Sequence, residues 1–258
     1  MRARRSRRHG FSTVLAQVFA AFLALGAAQA RDCDVEVAEN AVAQSVAAGA
    51  LALTDGRRVR FAGIDVPSAG EPLAEQARVH LAKLVERKTI GLGYADRGTD
   101  RHGDLLAYVF IDDAWVQAQL IGEGFARVAS RTDTRRCTAT LLKREAAARA
   151  AKRGIWANAF YRVRTADELG PDIGTFQIVE GKVVSVKVGR ERTYLNFGPN
   201  YRTDFTVTIS ARDMKRLAKE GIDPASWNGK TNRVRGWISL LNGPEIELTH
   251  AEQIEILP

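Results

Sequence analysis

Hydrophobic periodicity changes once along this chain of 258 residues, and that change constrains its fold more than any other feature. Before residue 163, short runs with the two-residue period of strands are mixed with segments whose apolar residues recur every three or four positions, as in helices. After residue 173, strand-like alternation dominates. The stretch 163–173 carries turn residues and neither period. The sequence therefore predicts a mainly β chain with some helices, an α+β class, with domains at 31–162 and 174–258 joined by a linker.

Within the first region, the spacing of apolar and turn residues predicts individual elements. Asp55-Gly56 lies between two apolar runs and is typical of a hairpin turn. Apolar residues at helical spacing, followed by glycines, indicate three helices. The expected elements are strands at 50–53, 58–64 and 105–111 and helices at 72–85, 115–121 and 138–153.

The first thirty residues have the features of a signal peptide. They contain five arginines and no acidic residue, then an apolar run at Val14–Leu25 and the small-residue site Ala28-Gln29-Ala30. That run is about a dozen residues long, short of the roughly 20 that a membrane-spanning helix needs. We therefore expect cleavage after Ala30 and a periplasmic or secreted protein with no stable membrane span. Retention of the segment as a membrane anchor is the alternative, and the export route stays open.

Removal of this segment changes what the charge implies. The formal net charge is +8, from 38 basic and 30 acidic residues, but five of the arginines belong to the expected signal peptide. The remaining 33 basic residues exceed the 30 acidic ones by three. The isoelectric point near 9.8 is therefore no argument for nucleic-acid binding by the mature protein.

The chain has two cysteines, Cys33 just after the expected cleavage site and Cys137 far downstream. In an oxidising compartment such a pair can form a disulfide. We expect the Cys33–Cys137 bond, which closes a loop of about a hundred residues and stabilises the fold by roughly 4 kcal/mol if it acts on chain entropy. Two unpaired thiols are the alternative.

Several stretches in the first region resemble the thermonuclease (staphylococcal-nuclease-like) family. Glu75–Leu84 is similar to a helix of that family. The other stretches read VRFAGIDVP at 59–67, DRHG at 100–103 and LAYV at 106–109, and a closing helix leads to Gly154-Ile155-Trp156. Together they cover Ser45 to Trp156 in the family's order. The resemblance implies a five-stranded OB barrel that carries helices.

The family's activity is calcium-assisted hydrolysis of a phosphodiester, and the resemblance implies which residues should perform it. Arg60 stands at the position of one of two catalytic arginines, and Asp65 at that of a calcium ligand. Ser68 replaces the glutamate that activates water, and Asp104 replaces the second arginine. Ala47–Ala50 stands where the family carries another acidic ligand. A serine hydroxyl is no base near neutral pH without a partner, and a carboxylate repels phosphate.

These replacements predict a catalytically degenerate domain in which Arg60 and Asp65 are vestigial, and no cofactor is expected. The two residues could instead form a structural hydrogen-bonded pair with each other. The alternative function is an active extracytoplasmic nuclease that uses calcium and a relocated base. The candidate bases are Glu71, Glu75, His80 and His102.

The region after residue 173 alternates apolar and polar residues in six short runs around one helix, 213–219. This pattern predicts a small closed or partly closed barrel, and the region resembles the OB-like module of some exported bacterial nucleases. OB barrels can bind single strands through exposed aromatic and basic side chains. The candidates for nucleic-acid binding are Tyr194, Tyr201 and Arg202, with Arg192, Arg233 and Arg235 interleaved, whereas Phe205 and Trp237 are expected in the barrel core.

The sequence thus favours an exported, non-catalytic protein with two barrels that binds nucleic acid, another polyanion or a protein partner in the envelope. The competing hypotheses are the active nuclease and a purely structural envelope protein. The salt dependence of binding separates a polyanion binder from a structural protein, because affinity for a polyanion falls steeply as salt rises.

Overall fold

The computed structural model describes residues 33–47 and 49–257, and these residues belong to one compact unit. The expected signal peptide and its cleavage site at Ala30 lie outside the described residues. None of the helices in the described ranges has the length and apolar character needed to cross a bilayer. We refer to 33–162 as the N-terminal region and to 174–257 as the C-terminal region.

The N-terminal region is built around a closed barrel. Its strands are β1 (Glu39–Ala47), β2 (Ala50–Leu53), β3 (Arg58–Phe61), β4 (Ile64–Asp65), β5 (Thr89–Thr99), β6 (Leu105–Ile111), β7 (Ala114–Trp115) and β8 (Arg127–Val128). Hydrogen bonds link five of them in the order β3-β2-β1-β5-β6, and a parallel pairing of β3 with β6 closes the ring. The expected OB-type barrel is confirmed.

Helices pack against this barrel at the places that the apolar spacing predicted. They are α1 (Ala74–Val85), α2 (Val116–Glu123) and α3 (Thr138–Ala150). Leu81 of α1 and Leu141 of α3 are fully buried in the barrel's core. Helix α2 is followed by the C-cap residue Gly124, which adopts a left-handed φ of 78°. Helix α3 ends earlier than predicted, at Ala150, and two 3₁₀ turns follow at Gly154–Ala157 and Ala159–Tyr161.

An N-terminal arm, residues 33–38, lies along β5 and is tied down by the predicted disulfide between Cys33 and Cys137, which is present. The arm approaches β5 so closely that a Cβ added at Gly93 would lie 2.4 Å from a methyl group of Val35. The missing side chain at this position therefore lets the arm contact the barrel directly. Cys137 immediately precedes α3, so the disulfide joins the arm to the start of that helix.

The C-terminal region contains two sheets around one core, together with a short strand from the preceding segment, β9 (Arg164–Thr165). The other strands are β10 (Phe176–Lys182), β11 (Ser185–Val188), β12 (Arg192–Asn196), β13 (Thr206–Ser210), β14 (Thr231–Trp237), β15 (Ser239–Leu241), β16 (Gly243–Glu247) and β17 (Ile254–Ile256). One sheet has the order β17-β14-β10-β9, and the other has the order β11-β12-β13-β16-β15. Helix α4 (Ala211–Lys219) follows β13. No hydrogen-bonded ring of strands closes in this part of the described chain, and its OB-like identity stays a prediction.

The segment 163–173, predicted to be a linker, is packed against the C-terminal sheet. Strand β9 pairs in parallel with β10, and the buried Arg164 donates from Nε to Asp172 Oδ2 at 2.9 Å. Both flanking regions lie within one compact unit. The division of the chain into two domains at this segment stays a prediction.

A buried ionic cluster joins the two regions. Arg235 on β14 donates to Glu145 on α3 at 2.8 Å and to Glu255 on β17 at 2.7 Å. The side chain of Arg235 is 2% exposed and that of Glu145 is 1% exposed. The expectation that Arg235 belongs to a basic binding surface was wrong, because α3 covers the face of β14 that strand alternation alone would assign to solvent.

Candidate functional site

A cleft of about 670 Å³ lies beside the closed barrel and is lined by both regions of the chain. Ser68 lines it together with Arg60 and Asp65, so the structure brings these three predicted positions together. We call this site the cleft. Its other charged and aromatic lining residues are Arg97, Asp100, Arg101, His102, Arg131, Asp133, Phe61, Phe176 and Trp237.

Arg60 is held by carboxylates at the wall of the cleft. Its Nε lies 3.3 Å from Asp104 Oδ2 and 3.5 Å from Asp100 Oδ2. Asp104 is largely buried and also lies 3.7 Å from a guanidinium nitrogen of Arg58. Partial burial raises the pKa of Asp100, but N–H groups of His102 and Asp104 donate to its carboxylate, and the net effect lowers that pKa. Asp100 and Asp104 therefore place two carboxylates beside the guanidinium of Arg60.

Asp65 pairs with Arg127 and not with Arg60. Strands β4 and β8 place Asp65 directly opposite Arg127, whose Nε donates to Asp65 Oδ2 at 2.9 Å. The guanidinium of Arg127 also lies 4.9 Å from the ring centroid of Phe176 and 5.4 Å from that of Tyr161. The hypothesis of an Arg60–Asp65 pair was wrong, because each residue has a closer partner of opposite charge on a neighbouring strand or loop.

Two of the four candidate bases, Glu71 and His102, lie at the cleft or beside it. The backbone N–H of Ser68 donates to Glu71 Oε2 at 2.7 Å, so the Glu71 carboxylate lies beside the position that Ser68 occupies. His102 lines the cleft itself. Glu75 and His80 lie on α1, along a separate groove.

Two arginines that were not among the predicted site residues present exposed positive charge at the cleft. The side chains of Arg97 on β5 and Arg131 after β8 are 68% and 74% exposed, and they lie 3.9 Å and 3.8 Å from Asp133. The carboxylate of Asp133 is only 18% exposed. The guanidinium groups therefore reach into solvent while the carboxylate lies beneath them. A ligand that enters the cleft meets positive charge first, which favours an anion.

Phe176 and Trp237 form an aromatic wall of the cleft and come from the C-terminal region. Their rings pack edge to face with centroids 6.3 Å apart. Phe176 is buried, but Trp237 is 66% exposed. The prediction that Trp237 lies in the core was wrong, because Val234 and Gly236 face the core and the alternation of β14 turns Trp237 outward. Phe205 lies in the core as predicted.

The binding residues predicted in the C-terminal region lie at a different place. Tyr194 and Tyr201 line a separate pocket of about 270 Å³, at which Glu245 is buried and accepts a hydrogen bond from Thr208. The guanidinium carbon of Arg202 lies 5.7 Å from the ring centroid of Tyr201. Nucleic-acid binding by these residues stays a prediction. The interleaved arginines pair with carboxylates: Arg192 with Glu245, and Arg233 with Glu180 and Glu255.

The oxygen atoms around Asp65 do not fit a calcium site. Calcium takes roughly six to eight oxygen ligands, whereas Asp65 is engaged by Arg127. In the described ranges 33–47 and 49–257, one group of three potential ligands lies with its atoms within 4.8 Å of one another, and it is Cys33, Asp34 and Cys137. The two sulfur atoms of that group are bonded to each other. The calcium ligands implied by the resemblance are therefore not assembled in the cleft.

Comparison with known proteins agrees with the geometry of the barrel. Residues 58–158 match the family model described as "Staphylococcal nuclease homologue". The "Probable staphylococcal-like nuclease CAN1" of Oryza sativa subsp. japonica is 31% identical over 111 residues, which are 43% of this chain and 32% of that protein. The "Probable staphylococcal-like nuclease CAN2" of the same organism is 30% identical over 101 residues, 39% of this chain and 26% of that protein. The chain thus matches less than a third of the length of these relatives. Residues 58–158 are thus similar to a domain of the staphylococcal nuclease homologue family.

Proposed function

We propose that this protein binds a polyanion in the cleft without hydrolysing it. The observation that carries the proposal is the arrangement of charge, in which Arg97 and Arg131 reach into solvent above the recessed Asp133. Arginine suits phosphate because its planar fork can donate two hydrogen bonds to one phosphate group. The family of residues 58–158 makes nucleic acid the first polyanion to test.

The proposed loss of hydrolysis follows from two replacements and from one contact of the remaining arginine. Ser68 offers no base for the attacking water, and Asp104 puts a negative charge where a cation should stabilise the transition state. The remaining arginine, Arg60, lies 3.3 Å from that same carboxylate. Because the loss of one such stabilising donor costs roughly 10²–10³ in rate, their combined loss should leave no measurable cleavage.

The alternative is calcium-dependent phosphodiester hydrolysis with a relocated base. One observation favours it: the contact between Glu71 and the backbone of Ser68 brings a carboxylate to the place of the missing glutamate. The test is incubation with single-stranded DNA, duplex DNA and RNA, first with calcium and then with chelator. We expect no cleavage in either condition. Calcium-dependent cleavage that is lost in Glu71→Gln would establish the alternative.

We also propose that the protein is exported and acts in the periplasm or outside the cell. The Cys33–Cys137 bond supports this, because disulfides persist in oxidising compartments. There its partner is a nucleic acid or another polyanion, with an envelope protein as the alternative. Expression of the full chain with a C-terminal tag, followed by fractionation and mass measurement, should recover a protein that begins at Arg31 outside the cytoplasm. Recovery of the uncleaved chain in the cytoplasm would contradict export.

Salt-dependent binding tests the main proposal. Oxidised protein is titrated with a labelled oligothymidylate at several salt concentrations, alongside the double variant Arg97→Ala/Arg131→Ala. Arg212→Ala is the matched control, because that arginine is at least as exposed and lies on α4, away from the cleft.

Each lost phosphate contact on a single strand flattens the plot of log affinity against log salt by about 0.7, so the double variant should flatten it by up to about 1.4. The control should keep the slope of the unmodified protein. Absence of binding to any polyanion, or an unchanged slope in the double variant, would overturn the proposal.

A further inference from the structure

We infer that Trp237 is a stacking platform for a base of a single-stranded nucleic acid in the cleft. The inference rests on the proposed polyanion binding and narrows its ligand to strands with unpaired bases. Trp237 lies in the C-terminal region, outside the matched segment 58–158. The cleft is therefore a composite site to which both regions contribute.

Trp237 differs in exposure from the other tryptophans of the described residues. Trp115 and Trp227 are buried and Trp156 is half-buried, whereas Trp237 is 66% exposed. An indole in water forgoes the stabilisation that burial of its large apolar surface would give. A single exposed apolar side chain is common on protein surfaces, so the inference depends on where this one lies and on how it is held.

The indole of Trp237 packs on one side against the protein. Its ring packs edge to face on the buried Phe176, which lies directly opposite it on β10. The backbone just beyond Trp237 is fixed as well, because Ile238 donates to Thr175 O and accepts from Gly174 N, both at 2.8 Å. A side chain that is already ordered loses little conformational entropy when a ligand stacks on it. Trp237 is thus a preorganised flat surface at the cleft.

Positive charge lies along the same cleft. Arg97, Arg101 and Arg131 line it together with Trp237. Proteins that bind single strands combine a cationic groove for the backbone with aromatic side chains on which bases stack. In a duplex the bases stack on one another and offer no free face, and inorganic polyphosphate has no planar ring. A cleft that combines positive charge with an exposed indole should therefore bind single strands more tightly than a duplex or polyphosphate.

Trp237→Ala tests the inference against Leu240→Ala. Both side chains are 66% exposed, and Leu240 lies on β15 without lining the cleft. The ligands are a labelled oligothymidylate, the corresponding duplex and inorganic polyphosphate. Trp237→Ala should weaken binding of the oligothymidylate by roughly 5- to 150-fold, the range for loss of one base–aromatic stack. Polyphosphate binding should be unchanged, Trp237→Tyr should keep most of the affinity, and Leu240→Ala should have no effect.

Tryptophan emission supplies a second readout that uses the unmodified protein. A base stacked on an indole quenches its fluorescence, so oligothymidylate should quench the emission of the wild type and polyphosphate should not. The quenching should be absent in Trp237→Phe, which keeps an aromatic ring in contact with Phe176.

The outcomes separate the inference from the proposal on which it rests. If Trp237→Ala weakens both ligands equally, or neither, or if the wild type prefers polyphosphate or the duplex, the stacking role is overturned while polyanion binding stands. If the wild type binds no polyanion, both fail, and a protein partner becomes the hypothesis to pursue. Selective loss of oligothymidylate binding with retained polyphosphate binding supports both.

Discussion

The buried ionic cluster predicts that Arg235→Met destabilises the N-terminal and C-terminal regions together. Methionine fills much of the space but leaves Glu145 as a buried carboxylate without its closest cation. Breaking a buried ion pair in this way costs about 3–5 kcal/mol. Glu145 would keep the N–H of Val128 at 2.7 Å and the guanidinium of Arg149 at 3.3 Å. We therefore expect the low end of that range, about 3 kcal/mol.

Urea unfolding of the oxidised protein measures this loss. Trp115 reports on the N-terminal region and Trp227 on the C-terminal region. Two variants, one with Trp115 and the other with Trp227 as its sole tryptophan, therefore show whether both regions unfold in one transition. Arg233→Met is the control, because Arg233 lies two residues earlier on β14 and pairs with the half-exposed Glu180. It should cost no more than about 1 kcal/mol.

A double variant distinguishes the lost ion pair from simple loss of packing. In Arg235→Met/Glu145→Met the fully buried carboxylate is removed together with its closest cation, and the partly exposed Arg149 loses its contact with Glu145. The double variant should still be more stable than Arg235→Met alone. The reasoning is refuted if Arg235→Met costs less than about 1 kcal/mol, or if removing Glu145 as well makes the protein less stable still.

Other perturbations act on single contacts elsewhere in the fold. Asp104→Asn removes a carboxylate from Arg60 and should tighten oligothymidylate binding by roughly two- to fivefold, the range for a partly exposed ion pair; weaker binding in the same titration would contradict the pairing argument. Cys33→Ala/Cys137→Ala should lose about 2–5 kcal/mol in urea unfolding, and an unchanged midpoint would show that packing alone holds the arm. Burial lowers the pKa of His250 from 6.5 to about 4. The stability that depends on its neutral ring is therefore complete above pH 6.5 and falls as the pH drops towards 4, by up to roughly 3 kcal/mol. In a plot of the free energy of unfolding against pH over this range, His250→Gln should flatten the slope. An equally steep slope in the variant would exclude His250 as the source of the pH dependence.

The elements that the sequence predicted are those with long, regular apolar spacing. Helices α1, α2 and α3 and the Asp55-Gly56 hairpin appear close to their predicted bounds. Strands β1 and β5 were missed, because β1 has no regular alternation of large apolar and polar residues, and β5 contains Gly91 and Gly93. Those glycines weaken the strand pattern, yet the close approach of the arm requires one of them.

The cleft could be predicted only in part. Arg60, Asp65 and Ser68 come from one continuous motif, so the resemblance was enough to place them together. Arg97 and Arg131 come from separate parts of the chain and converge only in the folded barrel. Nor could the sequence show which carboxylate each arginine would pair with, because the pairing depends on distances between strands that local spacing does not determine.

If the proposed export carries the unfolded chain across a membrane from its N-terminus, the disulfide and the buried ionic cluster also imply an order of assembly. Both cysteines precede the whole C-terminal region, so the arm can be bonded to the start of α3 before that region has emerged. Glu145, by contrast, can pair with Arg235 only after the following 90 residues have been added. The disulfide can thus form while this buried carboxylate still lacks its closest cation, and β14 supplies that cation when it completes the aromatic wall of the cleft.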